Sequence, residues 1–254
     1  MEWFVELHPA WQGFLGTLFC YFMTMAGAGV VFFTKKDANK KVLNFMLSTS
    51  AGIMLAAAFL SLLLPAIKLA EEIGLIDWLV VSIGFLFGGL FMMGCDMLAV
   101  GNKKRSVLLT TAITLHNIPE GLAVGVAFGS VAVGIPGATI PGAIALAFGI
   151  ALQNFPEGLC VSMPLSLSGT SKWKSFLIGQ SSGLVEPIAG VVGVVFALTV
   201  RTALPFALSF ASGAMIIVVM AELVPSFAPE HKKTATLGCI FGFILMAILD
   251  LAFG

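Results

Sequence analysis

Charged residues are scarce in this chain. Its 254 residues include 13 Lys and Arg and 13 Asp and Glu, which together make up 10% of the sequence. Soluble domains carry about 25% charged residues, so this scarcity excludes an ordinary soluble protein. No stretch of the sequence combines enough basic and aromatic residues to bind nucleic acid, and we expect no nucleic-acid partner. Hydrophobic residues instead reach 59% and the mean hydropathy is +1.05, which is typical of an integral membrane protein.

Sequence patterns of catalysis are also missing. The His-Glu-x-x-His pattern of a zinc peptidase is absent, and no Ser or Cys is placed with a His as a nucleophile pair. We therefore predict that the protein is not an enzyme and has no catalytic residue and no cofactor. An intramembrane metalloenzyme is the lesser alternative. The chain starts without the basic region of a signal peptide, and we expect none.

Cysteine is sparse as well. The four cysteines lie in different apolar stretches without a CxxC pair, so we interpret them as small buried hydrophobic residues: Cys20, Cys95, Cys160 and Cys239.

Long apolar runs fill most of the chain. Each is about 20 residues or longer, which is enough to cross a hydrocarbon core of roughly 30 Å. The eight runs lie near 11–33, 42–67, 76–99, 107–130, 141–167, 175–199, 204–225 and 234–253. No room is left for a separate soluble domain. The sequence predicts an all-α polytopic membrane protein with eight transmembrane helices in a single domain, residues 1–254.

The basic residues alternate between the two sides of this predicted topology. Eleven of the 13 Lys and Arg fall in the connections on one side, and only Lys68 and Arg201 fall on the other. Basic connections are cytoplasmic in most membrane proteins. We therefore predict that both termini lie outside the cytoplasm, with a bacterial inner membrane as the location.

Two nearly identical polar hexapeptides interrupt the apolar runs. The fourth run contains His116-Asn117-Ile118-Pro119-Glu120-Gly121, and the fifth contains Gln153-Asn154-Phe155-Pro156-Glu157-Gly158. An acidic side chain costs about 3 kcal/mol at the centre of a membrane helix, so such residues usually line a site or a pathway. Positions i, i+1 and i+4 share one helix face. The sequence therefore predicts that both polar sets converge on one site, with Gly121 and Gly158 letting the two helices approach.

A third buried acid, Glu186, lies in the sixth run. Three carboxylates without a Lys or Arg partner in these runs must hold protons or be neutralised by a cation. Carboxylates, an imidazole and amide oxygens form a ligand set for a divalent first-row metal such as Zn, Fe or Mn. Met54 adds a soft thioether ligand or else is a packing residue. The structural alternative is a hydrogen-bond network that only holds the helices together.

Weaker sequence matches indicate an inverted repeat. Spans two and seven share a Gly-x-Met pattern, at Gly52 to Met54 and Gly213 to Met215, and a later proline, Pro65 and Pro225. Together with the paired hexapeptides, they predict a 3+2+3 arrangement in which two groups of three helices flank a central pair. Inverted repeats place the substrate site near the membrane midplane.

Eight spans with His-Asn-x-Pro-Glu-Gly in the fourth resemble the ZIP (Zrt/Irt-like) divalent-metal transporters, in particular their bacterial GufA-like branch. The resemblance covers the whole chain. It implies transport of zinc, and also of Cd, Fe or Mn, into the cytoplasm, with the metal as substrate and with alternating access resembling an elevator. A metal-selective channel with the same ligands is the alternative.

The resemblance also implies site residues. The metal ligands it indicates are Met54, His116, Asn117, Glu120, Gln153, Asn154, Glu157 and Glu186. Glu120 and Glu157 would bridge two metals, and Glu186 would bind at the second metal position. Many family members have His where this chain has Gln153, and some have an acid in place of Asn154, so the second metal position here has fewer charged ligands.

Other polar residues receive lesser roles. Ser61 and Glu222 are predicted to line the pathway, whereas Asp96 and Asp250 are interpreted as interfacial. Family resemblance also implies a homodimer, for which the small residues around Gly88 offer a surface. Small residues equally pack helices within one chain.

Overall fold

The computed structural model describes residues 2–33, 40–99, 105–135, 137–167, 169–227 and 229–253, and these ranges contain helices and no strand. The α-helices are α1 Glu2–Val5, α2 Pro9–Gly29, α3 Lys40–Ala56, α4 Leu64–Glu72, α5 Asp77–Ala99, α6 Arg105–Ala132, α7 Ile140–Leu167, α8 Lys172–Ser181, α9 Val185–Thr199, α10 Leu204–Val218 and α11 Lys232–Phe253. Several are joined or extended by 3-10 turns at Val30–Phe32, Ser182–Leu184, Arg201–Ala203, Val224–Ser226 and Pro229–His231, and by π-helical segments at Ala57–Leu63 and Val219–Leu223.

Seven helical segments in the described ranges are long and apolar enough to cross a membrane. They are Pro9–Phe32, Lys41–Glu72, Asp77–Gly94, Ile140–Leu167, Lys172–Thr199, Leu204–Ala221 and Pro229–Ala252. They coincide with seven of the predicted runs, so the all-α polytopic membrane fold is confirmed. The fourth run corresponds to α6, a helix of 28 residues. The total of eight spans stays a prediction.

The helices pack as two bundles. The first contains α2, α6, α7, α8 and α9, and its closest helix pairs are α6 with α9 and α2 with α7. The second contains α3, α4, α5, α10 and α11, and its closest pairs are α3 with α11 and α5 with α10. Between the bundles, α3 packs on α7 and α10 packs on α6. The central helices α6 and α7 therefore belong to one bundle and face the other.

Glycines set the close approach of helices within the second bundle. A Cβ added at Gly88 of α5 would overlap the backbone carbonyl oxygen of Phe210 in α10. A Cβ added at Gly242 of α11 would overlap the carbonyl oxygen of Thr49 in α3 in the same way. Only glycine allows backbones to come this close in a membrane bundle. Gly88 thus packs on a helix of its own chain and does not offer its small surface to a second copy.

The helix pairs of each bundle correspond in the way that the predicted inverted repeat requires. α5 packs on α10 as α11 packs on α3, and α6 packs on α9 as α7 packs on α2. The π-helical segments occupy corresponding places after α3 and α10, just before Pro65 and Pro225. A π segment interrupts the regular pattern of α-helical hydrogen bonds, and such segments are frequent at functional sites. The predicted 3+2+3 arrangement agrees with this packing.

Tryptophans mark the ends of the helices. Trp3 lies in α1, Trp11 in the first turn of α2, Trp78 at the start of α5 and Trp173 at the start of α8, and all are exposed. Trp is enriched where hydrocarbon meets the headgroups. These positions agree with the interfacial roles expected of a membrane-spanning bundle.

Candidate metal site

The two hexapeptides lie along the middle of α6 and α7. The helical backbone of α6 continues through Pro119, and α7 runs unbroken from Ile140 to Leu167. Their amide side chains, Asn117 on α6 and Gln153 and Asn154 on α7, are fully buried. Two regular helices therefore present polar groups inside the protein, as the shared spacing predicts.

All three predicted acids are buried. Glu120 and Glu186 have no exposed surface and Glu157 is 3% exposed. The sequence contains no Lys or Arg between Arg105 and Lys172. An ionised carboxylate removed from water costs several kcal/mol unless hydrogen bonds or a cation compensate it. The neighbours of these carboxylates therefore determine what the site can bind.

Gln153 connects the two central helices. Its Nε2 donates hydrogen bonds to Oε1 of Glu120 at 2.6 Å and to Oδ1 of Asn154 at 2.6 Å. Its Oε1 accepts a hydrogen bond of 3.0 Å from Oγ of Ser50, which lies on α3 in the other bundle. The amide therefore bridges α6 and α3 and has both of its polar atoms engaged.

Glu186 is surrounded by hydrogen-bond donors from three helices. Asn154 Nδ2 donates to its Oε2 at 2.8 Å, and Asn117 Nδ2 donates to its Oε1 at 3.2 Å. Thr24 Oγ1 on α2 donates to the same Oε1 at 3.5 Å. The carboxylate thus links α9 to α2, α6 and α7.

The glycines of the hexapeptides allow two other helices to approach. A Cβ at Gly121 would lie 2.6 Å from the carbonyl oxygen of Glu186, and a Cβ at Gly158 would overlap the carbonyl oxygen of Thr24. The sequence predicted that these glycines bring α6 and α7 together, and that prediction is wrong. They instead bring α6 against α9 and α7 against α2.

Not every predicted residue has a described side chain. His116 lies in α6 and Glu222 in the π-helical segment after α10, but their side chains lie outside the described set. Met54 is 1% exposed on α3 and belongs to the apolar core. Among the side chains that are described, no three His, Cys, Asp or Glu residues lie close enough to share a metal ion. The predicted ligand set therefore stays a prediction.

Ser61 makes a contact that the sequence did not predict. Its Oγ donates a hydrogen bond of 2.6 Å to Oδ1 of Asp250 on α11. Asp250, which the sequence places at the membrane interface, therefore has a hydrogen-bond partner within the protein. Sequence analysis also missed Thr24 and Ser50, whose only signal was a hydroxyl in an apolar span. Hydroxyl groups are common in such spans, so their position beside the acids depends on tertiary packing.

The donor atoms of this buried site are suited to a divalent metal. Two carboxylates on adjacent helices supply oxygen donors of the kind that zinc and its neighbours accept. Buried acids on paired helices of a polytopic membrane bundle are typical of the transporter class, in which substrate sites lie between repeated helices.

Comparison with known proteins identifies the family. Residues 98–250 match the family model described as ZIP zinc transporter. The chain is 35% identical to zinc transporter ZIP11 of Xenopus tropicalis, over 97% of this chain and 98% of that protein. It is 36% identical to zinc transporter ZIPB of Bordetella bronchiseptica, over 82% of this chain and 71% of that protein. It is 37% identical to zinc transporter GufA of Myxococcus xanthus, over 76% of this chain and 80% of that protein. The chain belongs to the ZIP zinc transporter family.

Proposed function

We propose that this protein carries divalent transition-metal cations across the membrane into the cytoplasm. Zinc is the first candidate because the relatives are named zinc transporters, and Cd, Fe and Mn are the further candidates. The observation that carries the proposal is the burial of Glu120 and Glu157 on two helices that repeat each other. The sequence contains no Lys or Arg from residue 106 to residue 171, so a bound cation would balance the charge of the two carboxylates.

The ligands would come from both central helices. Glu120 and His116 on α6 would bind the ion together with Glu157 on α7, and the Gln153 oxygen would complete the set. Zinc accepts imidazole and carboxylate in a four-coordinate site. Magnesium requires a near-ideal octahedron of oxygens and gives up its water reluctantly, so it would bind poorly.

The burial of the site agrees with a carrier that is closed in this conformation. Glu120, Gln153 and Glu186 have no exposed surface, so the site is closed to water in this conformation. A channel would need a continuous path for the ion. The first bundle carries the acids and contacts the second bundle through α3 and α10. Alternating access would then arise when the first bundle moves relative to the second.

The direction of transport follows from the basic residues. The connections that contain eleven of the 13 Lys and Arg would face the cytoplasm, with both termini on the opposite side. The membrane would be the inner membrane of a bacterium. Cysteine accessibility at Gly254 and at Lys104 in sealed cells, with a membrane-impermeant reagent, measures this orientation directly.

Uptake by proteoliposomes tests the function. Saturable 65Zn uptake is expected for the native protein and should fall to the level of protein-free vesicles for Glu120→Gln, because the substitution removes a charged ligand. Glu71→Gln is the matched control, since Glu71 is exposed at the end of α4. Native rates in Glu120→Gln, or no saturable uptake of any of Zn, Cd, Fe and Mn by the native protein, would contradict the proposal.

A further inference from the structure

The carboxylate of Glu186 occupies a position in which family resemblance implies a second metal. In this chain both of its oxygens instead receive hydrogen bonds from neutral side chains. Asn154 donates to Oε2, and Asn117 and Thr24 donate to Oε1. All four residues are fully buried, so these donors are the immediate surroundings of the carboxylate.

The orientation of the two amides is set by chemistry. Asn154 Nδ2 lies 3.4 Å from the carbonyl oxygen of Cys20 as well as 2.8 Å from Oε2 of Glu186. Asn117 Nδ2 lies 3.1 Å from the carbonyl oxygen of Ser182. A carbonyl and a carboxylate are both acceptors, so only the NH₂ group of each amide can face them. Turning either amide would place oxygen against oxygen.

Amide hydrogens take the place that a cation would need. Each N–H directs the positive end of its dipole at an oxygen of the carboxyl group, as a bound metal would. A metal at Glu186 would have to displace at least two of these bonds. It would also lie near a first ion of the same charge, since paired metals are about 3.5–4 Å apart. Asn154 supplies no negative charge to offset that repulsion.

We propose that this protein holds a single transported ion, at Glu120 and Glu157, and that Glu186 is a hydrogen-bonded anchor and not a metal ligand. The anchor joins α2, α6, α7 and α9, and so holds the first bundle together while the ion is carried. Asn154 is the residue that excludes the second ion. This inference rests on the proposed function, which supplies the first ion.

Ion counting tests the inference on the full chain purified in nanodiscs. Cd²⁺ is the probe, and bound metal is measured by mass spectrometry after gel filtration. Surface sites are removed from the count by subtracting the value for Glu120→Gln/Glu157→Gln. We expect a difference of one ion per chain for the native protein. A difference of two overturns the inference and leaves the proposed function intact, whereas a difference of zero contradicts the proposed function itself.

Two further variants separate a metal ligand from an anchor. Asn154→Asp replaces a donor by a charged acceptor, and the difference should rise from one ion to two. Asn154→Asp/Glu186→Gln should return it to one, because the new ion needs Glu186. An Asn154→Asp protein that still holds one ion contradicts the role given to Asn154.

Glu186→Gln alone completes the test. Its Cd²⁺ affinity should stay within about threefold of the native value. Its melting temperature without metal should fall, because the NH₂ group of the new glutamine would face side chains that donate hydrogen bonds to Glu186. A tenfold or greater loss of Cd²⁺ affinity with an unchanged melting temperature would make Glu186 a ligand and overturn the inference. If Glu186→Gln does not fold, the native ion count still decides.

Discussion

The amide nitrogen of Gln153 lies 2.6 Å from Oε1 of Glu120, so Gln153 of α7 donates a hydrogen bond to the Glu120 carboxylate of α6. The amide oxygen of the same residue accepts from Ser50 of the second bundle. A metal ion binds to atoms that offer a lone pair, and the NH₂ group of an amide offers none. Gln153 must therefore turn its amide before its oxygen can bind an ion beside Glu120.

Gly121→Ala and Gly158→Ala should each destabilise the protein. The new methyl group would press against a backbone carbonyl of α9 or α2, which cannot move as a flexible side chain can. Overpacking typically costs 1–3 kcal/mol, so we expect about that loss, with reduced zinc uptake. Thermal unfolding in detergent measures the loss. Gly94→Ala is the matched control, since nothing lies within 4 Å of its added Cβ. A similar loss in all three variants would show that helix packing at the hexapeptides is not the cause.

Met54→Ala should separate a ligand from a packing residue. Met54 is the one residue of the predicted set that offers sulfur, and soft metals prefer it. If its thioether binds the ion, Cd²⁺ affinity should fall about tenfold while Mn²⁺ affinity changes little. Met54→Leu keeps the volume and removes the sulfur, and so distinguishes ligation from packing. Equal losses for the two ions would assign Met54 to the apolar core in which it is buried.

Acid should weaken metal binding. The carboxylates of Glu120 and Glu157 and the imidazole of His116 bind a metal only without their protons, so binding releases any proton that they hold. Cd²⁺ affinity is expected to fall as the pH is lowered from about 8 to 5, by up to roughly tenfold per pH unit for each proton displaced. Calorimetric titration with Cd²⁺ in buffers of different ionisation enthalpy counts the protons that are released on binding. Affinity that stays constant over this range would show that the free site holds no protons.

The sequence by itself determined the class of the fold and the identity of the polar residues. Low charge and long apolar runs require membrane helices, because hydrocarbon leaves no other way to satisfy the backbone. The cost of Glu120, Glu157 and Glu186 in such runs pointed to a site. Spacing at i, i+1 and i+4 placed the polar groups on shared faces of α6 and α7, since helical geometry is local.

Only the tertiary structure decided which groups these residues meet. The sequence predicts that Gly121 and Gly158 form the contact between α6 and α7, yet they contact α9 and α2. Asn117 and Asn154 were read as ligands by resemblance, whereas their nitrogens point at Glu186. An amide offers a donor and an acceptor on one plane, and the sequence does not state which end faces the site. That choice depends on the acceptors contributed by Glu186, Ser182 and Cys20, and packing alone brings these distant parts of the chain together.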